Sequence, residues 1–90
     1  MYDPFTPQSA ERMFRALGQP VRRRIMEALA QCPMSLMTLC EYAGVSQSTV
    51  SYHVEVLREA GLVSAGRGGM CVDKEGLCGL IHYINGNLMH

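Results

Sequence analysis

The stretch that most limits what this chain can become is Ala43-Gly44-Val45-Ser46-Gln47-Ser48-Thr49-Val50-Ser51-Tyr52-His53-Val54-Glu55-Val56-Leu57. Gly44 can take the left-handed conformation that closes a helix. Ser46 can cap the next helix by accepting a backbone N–H of its first turn. Val50, Val54 and Leu57 then recur at i, i+4 and i+7, the apolar stripe of an amphipathic helix. A helix end, a short turn and a new helix start are the marks of a helix-turn-helix. The opposite face of the second helix carries Gln47, Ser48, Ser51, Tyr52 and Glu55, of which only Glu55 is charged. An ordinary solvated face would hold more Lys and Glu, whereas a polar, nearly uncharged one can hydrogen-bond base edges and phosphates. Residues 47–60 therefore read as a recognition helix.

The flanking chain supplies a scaffold for it. Thr6-Pro7 is a helix start, with Thr as cap and Pro in the first turn. Ala10, Met13, Phe14 and Leu17 follow at helical spacing, up to Gly18. Gln19-Pro20 restarts the chain, and Val21, Ile25, Ala28, Leu29 and Cys32 give a second stripe that Pro33 stops. Ser35 caps a third helix with Leu36, Leu39, Cys40 and Ala43 on its apolar side. The expected helices span about 7–17, 20–31, 35–43 and 47–60, with Met1–Phe5 as a loose arm.

Beyond Gly61 the reading turns to strands. Gly66, Gly68, Gly69, Gly76 and Gly79 disfavour a continuous helix, at about 1 kcal/mol for each interior glycine. Leu80-Ile81-His82-Tyr83-Ile84 is aromatic and β-branched and reads as a strand. Pairing it with Leu62–Ala65 makes a long β-ribbon, a wing over about 62–84 turning at Asp73–Gly76. In that register Val72 faces Leu77 and Cys71 faces Cys78, and Gly86 with the last four residues is a frayed end. A C-terminal helix over Glu75–Leu88 is the alternative. The expected fold is thus a single α+β domain over 1–90, mainly helical: a winged helix-turn-helix with an extended hairpin loop.

Charge narrows the function. Eight basic and eight acidic residues leave no net charge among 90 residues. Residues 1–34 hold five Arg against three carboxylates, and residues 35–90 hold three basic groups against five. Phosphate neutralisation supplies most non-specific DNA affinity, so the positive contribution has to come partly from Arg22, Arg23 and Arg24 or from a dimer. A solvated face with an Arg23–Glu27 pair is the plainer account of those arginines. There is no 18-residue apolar run and no signal peptide, which points to a soluble cytoplasmic protein away from membranes. Four cysteines without a secretory signal read as free thiols, metal ligands or redox groups rather than a disulfide framework. No Ser/His/Asp set, phosphate loop or credible carboxylate pair suggests an enzyme.

Two segments resemble a known family. Leu17-Gly18-Gln19-Pro20-Val21-Arg22-Arg23-Arg24-Ile25 looks like the second-helix entry of ArsR/SmtB-type bacterial repressors. Val45–His53 with Leu57-Arg58-Glu59-Ala60-Gly61-Leu62-Val63 is similar to that family's recognition helix and wing entry. The resemblance, covering roughly residues 10–65, implies a winged-helix homodimer that binds operator DNA and releases it when an inducer binds. It also implies DNA-facing roles for Gln47, Ser48, Thr49, Ser51 and His53. Tyr52 stands where the family often has Arg. Ser35 and Met37 replace the Cys-x-Cys with which some members bind arsenic or cadmium. The family's second metal site uses Asp and His on a C-terminal dimer helix, and that helix is expected to be short or missing here.

The candidate DNA-binding set is Ser46, Gln47, Ser48, Thr49, Ser51, Tyr52, His53 and Arg67. For Gln47 and Ser48 the plainer account is a polar first turn, for His53 a local hydrogen bond beside the buried stripe, and for Arg67 a flexible Gly-rich loop. Cys32 and Cys40 read as small buried hydrophobes. Cys71 and Cys78 are a candidate redox pair, with two incidental free thiols as the plainer account. Zinc needs four ligands at the right geometry and only His82 or Asp73 lies near them in the chain, a weak signal, so no metal or cofactor is expected. The reading is a sequence-specific transcriptional regulator, a dimeric repressor on double-stranded DNA, with a redox or thiol-reactive signal as its candidate input. The alternative is a winged-helix module that binds protein through the same face.

Overall fold

The computed structural model describes residues 5–89, so the loose arm expected at Met1–Phe5 lies, except for Phe5, outside the described residues. Five helices and one hairpin follow in the order α1 (Pro7–Leu17), α2 (Pro20–Gln31), α3 (Leu36–Ala43), α4 (Gln47–Glu59), β1 (Val63–Gly66), β2 (Gly69–Val72) and α5 (Lys74–Asn87). Each of α1, α3, α4 and α5 starts at a side-chain cap. Thr6 accepts from the Ser9 N–H, Ser35 from Thr38, Ser46 from Thr49 and Asp73 from Gly76. These bonds satisfy amides that a helix N-terminus otherwise leaves unpaired. Gly44, at φ 70°, ends α3 in the left-handed conformation and donates its N–H to the Cys40 carbonyl.

The core is one cluster. Ala10, Met13 and Ala16 of α1 meet Ile25, Ala28 and Leu29 of α2, Leu39 of α3, and Val50, Val54 and Leu57 of α4. Leu62, Val63 and Leu80 close it from the hairpin and α5. Cys32 departs from its expected place in the stripe. It caps the C-terminus of α2 in extended conformation and is exposed, because the helix has ended before the stripe reaches it.

The wing is shorter than the ribbon expected over 62–84. Val63 pairs with Val72, Ser64 with Cys71, Ala65 with Met70 and Gly66 with Gly69, so the hairpin turns at Arg67-Gly68 rather than at Asp73–Gly76. Leu80–Ile84 is helical, and the alternative considered for this segment is the correct one. Cys71 therefore lies opposite Ser64 while Cys78 sits exposed on α5, and the register that would have faced the two thiols across a ribbon does not exist. Helical spacing, not β propensity, decides this segment. Leu77, Leu80 and Ile84 fall at i, i+3 and i+7, and all three pack on the core.

The glycines that argued against α5 have a packing role. A Cβ on Gly76 would stand 1.8 Å from the Gly61 carbonyl oxygen, and one on Gly79 would stand 2.7 Å from the Phe5 ring. The helix approaches its neighbours this closely only because these residues have no side chain. Gly69, at φ 118°, plays the same part in the wing, where a Cβ would lie 2.5 Å from the Met34 carbonyl oxygen. That proximity lets Met34 and Met70 exchange backbone hydrogen bonds of 3.0 and 2.8 Å, tying the wing to the α2–α3 connection.

Two substitutions in α5 separate helix propensity from packing. Gly86 has open space around it, so Gly86→Ala is expected to leave stability unchanged or raise it by up to about 1 kcal/mol. Gly76→Ala must displace backbone and is expected to cost about 1–3 kcal/mol. Urea denaturation of both variants checks the contrast, and equal effects would show that the close approach at Gly76 does not matter.

Candidate nucleic-acid interface

The turn between α3 and α4 is Gly44-Val45-Ser46, and Ser46 is largely used in making it. Its hydroxyl accepts the Thr49 N–H at 3.3 Å and lies 2.9 Å from the Thr49 hydroxyl. Thr49 is half-buried as a result. Gln47, Ser48, Ser51 and Tyr52 are exposed along the outer face of α4, with Tyr52 at 62% exposure. Arg67 is exposed at the tip of the hairpin. The structure thus leaves six of the eight expected residues exposed, Ser46 among them although its hydroxyl is engaged in the cap.

Charge on that face is low. Glu55 and Arg58 form an ion pair one turn apart, with Arg58 Nε donating to Glu55 Oε1 at 3.1 Å. This hydrogen bond holds the Glu55 carboxyl below its ordinary range. Glu59 follows in the next turn and is exposed. The reading helix therefore brings two carboxylates and one guanidinium to its own surface.

His53, read as either a phosphate contact or a local hydrogen bond, is engaged inside the fold through Nδ1. It is buried at 9% exposure, and its Nδ1 lies 3.1 Å from Nη1 of Arg22, itself only 7% exposed. A guanidinium can only donate, so Nδ1 is the acceptor and neutral His53 carries its proton on Nε2. The same guanidinium donates through Nε to the Ala16 carbonyl at 2.7 Å. Arg22 thereby links the last turn of α1 to the middle of α4. Neither a solvated face nor phosphate neutralisation, the two roles the sequence suggests for the three arginines, anticipates this one. Only Arg22 points inward; Arg23 donates to the Leu17 carbonyl at 2.6 Å instead of pairing with Glu27.

Comparison with known proteins agrees with this geometry. The family model described as "Bacterial regulatory protein, arsR family" matches residues 19–65, which contain α2 through the start of the wing. The chain belongs to the arsR family of bacterial regulatory proteins. It is 36% identical over 63 residues to the "Probable mercury resistance operon repressor" of Streptomyces lividans, covering 70% of this chain and 50% of that protein. It is 28% identical over 60 residues to the transcriptional repressor SdpR of Bacillus subtilis, covering 67% of each. The chain thus spans half to two thirds of the length of these relatives. Among solved structures, a crystal structure of an ArsR family transcriptional regulator superposes with a TM-score of 0.80 at 18% identity, over 99% of this chain and 94% of that one. The homodimeric winged helix-turn-helix DNA-binding domain of a Mycobacterium bovis protein gives 0.71 at 22% identity, over 92% and 83%. At these identities the two structures speak for the winged-helix fold alone.

Among the described residues of this family member, no group of three or more His, Cys, Asp or Glu is placed to hold a metal ion, and no helix is long and apolar enough to cross a membrane.

The Arg22–His53 contact has a pH signature. Burial first, and then the neighbouring Arg22 charge, lower the His53 pKa from its ordinary 6.5. The unfolded chain consequently binds the proton more readily than the folded one. The contribution to stability is complete above pH 6.5 and is lost as pH falls from 6.5 through the lowered value. Thermal unfolding is expected to show a Tm that drops on acidification through this window. His53→Asn, which keeps an acceptor but cannot titrate, is expected to lower Tm overall and flatten that drop. An equal slope in the variant would assign the pH dependence to other groups.

Proposed function

We propose that this chain is a dimeric transcriptional repressor that reads a specific operator in double-stranded DNA. What carries the reading is the open, nearly uncharged face of α4, where Gln47, Ser48, Ser51 and Tyr52 present hydrogen-bonding groups and no aliphatic side chain intrudes. Gln can bond bidentately to adenine in the major groove, and hydroxyl groups serve either a base edge or a phosphate. Arg67 on the wing supplies a cation for the adjacent backbone or minor groove. The Arg22 link holds α4 at a fixed angle to the body, so these side chains reach the groove as a set.

The dimer reading is supported by the outer faces of α1 and α5. Phe14 is 43% and Ile81 54% exposed, and Leu88 and Met89, past the end of α5, are exposed at 62% and 69%. Phe14 meets Tyr83 edge-on with ring centres 6.3 Å apart, which holds α1 against α5. A second copy packing there would bury that surface and set two recognition helices about one DNA turn, roughly 34 Å, apart. As for a thiol-reactive signal, its place of entry on this reading is the largely apolar groove of about 730 Å³ between α2, β2 and α5, which both Cys32 and Cys71 line.

Selection of bound sequences from random duplex DNA tests the reading directly, and a recovered inverted repeat is the expected outcome. On that site Gln47→Ala should lose about 1–3 kcal/mol and on random duplex little. Equal losses on both would restrict Gln47 to positioning the backbone. Sedimentation should show a dimer at tens of micromolar that Ile81→Glu dissociates; a monomer with undiminished operator binding would overturn the dimer.

A further inference from the structure

A narrow cleft separates α1 from the edge of the recognition helix, and it is lined by Arg12, Arg15 and Arg22 from one side and by Tyr52 and Glu59 from the other. Its volume is about 250 Å³. Three guanidinium groups and one carboxylate line it, and Arg12 also borders the adjoining cavity with Glu59, Asp73 and Glu75. Arg22 is committed to Ala16 and His53. Arg12 and Arg15 are not committed in that way. Arg12 is exposed, and the Arg15 side chain is 77% exposed. The partner of Arg15 is Glu11 at 3.5 Å, with 69% exposure. An exposed pair of that kind is worth little and exchanges readily for another anion.

Tyr52 connects this cleft to the reading face. It belongs to the same exposed side of α4 as Ser48 and Ser51, yet it also lines the cleft. A duplex lying against Gln47, Ser48 and Ser51 would carry one strand of its backbone past Tyr52. That strand needs cations there, because phosphate contacts fix the register of a protein on its duplex and Arg58 is already engaged by Glu55. We propose that the cleft is a second DNA contact, in which Arg12 and Arg15 with the Tyr52 hydroxyl seat a backbone phosphodiester flanking the base-reading groove. The proposal rests on the operator-binding reading above and extends it to α1, a helix that the recognition motif does not include. It also accounts for how an uncharged chain concentrates positive charge where a duplex would lie.

The experiment measures affinity for the selected operator and for a random duplex at several KCl concentrations, using the full chain. Arg12→Gln, Arg15→Gln and the double variant are compared with wild type, with Lys74→Gln, which does not line the cleft, as control. Arg12 and Arg15 are exposed, so the substitutions leave the core intact, which circular dichroism verifies. For each phosphate no longer neutralised, the slope of log affinity against log salt should shrink by about 0.9, and by twice that in a two-fold dimer. Loss of affinity should be similar on operator and random duplex, and Lys74→Gln should match wild type. Unchanged slopes in the Arg variants, with operator binding intact, would overturn the cleft and leave the operator reading standing. Calorimetric titration with inorganic phosphate separates the other source of the same chemistry. Phosphate binding that Arg15→Gln abolishes, together with unchanged DNA slopes, would make the cleft a small-anion site and overturn its role on DNA. Wild type that binds no duplex at any salt would overturn the operator reading, and this contact with it.

Discussion

The rest of the structure depends on one buried guanidinium. Arg22 enters at the start of α2 and donates to the Ala16 carbonyl at the end of α1 and to Nδ1 of His53 in α4. Burying a cation costs several kcal/mol unless hydrogen bonds replace its hydration. Here they do, and no buried polar side-chain atom among the described residues lacks a partner. The geometry that satisfies Arg22 is also the one that fixes α4, since its donors lie in one plane and its acceptors come from two other helices. An apolar contact at the same place would bury surface but would tolerate sliding. A planar group with directed bonds tolerates much less. The recognition helix is therefore held by its inner face while its outer face stays free of structural duties.

The wing is held by a different device. Leu62 and Val63 are buried and anchor β1, while β2 is bonded on one side to β1 and through Met70 to Met34 on the other. This makes the α2–α3 connection a third, single-bridge member of the sheet. Gly68 lies against the Pro33 ring, where an added Cβ would come to 3.1 Å, and Gly69 lies against Met34. The wing tip can thus present Arg67 on a backbone that is pinned one residue further on. The apolar groove beside it is walled by the same Pro33 and by Cys71 of β2, so an occupant of that groove would press on the wing rather than on α4.

Local chemistry made the helical half of the molecule legible. Thr6-Pro7, Ser35, Gly44 and Ser46 each act within a few residues of themselves, and such signals survive in a single sequence. The C-terminal third was misread for a reason of the same kind. Glycine weakens a helix by its own propensity, and five glycines between 66 and 79 were counted that way. What they do is non-local: Gly76 admits the Gly61 carbonyl and Gly79 admits the Phe5 ring. Nothing adjacent to either glycine announces a partner 15 or 74 positions away. The Leu77/Leu80/Ile84 spacing was the available clue, and β propensity at Ile81–Ile84 outweighed it. The buried role of Arg22 was hidden likewise, since three consecutive arginines look alike until tertiary contacts separate them. On the candidate interface, residue type sufficed for Gln47, Ser48, Ser51 and Tyr52, whereas His53 needed the fold to show that its nitrogen is taken.

The charge distribution bears on how a family member of this kind would act on DNA. A chain with no net charge gains little from the general attraction of a polyanion, so its non-specific affinity on the proposed reading is low. A ratio between specific and non-specific binding grows as easily by weakening the second as by strengthening the first. On the proposed reading the exposed carboxylate of Glu59 would do the former by repelling phosphate wherever the groove contacts are wrong, while Glu55 is neutralised by Arg58. Bringing cations in from α1 and the wing, rather than from α4, then confines attraction to the two edges of the interface. A duplex gains from both edges only when α4 is seated between them. Fixing α4 through Arg22 makes that simultaneous fit depend on the relative placement of three helices, so a small displacement of α1 against α4 would release the edges and the groove contacts together.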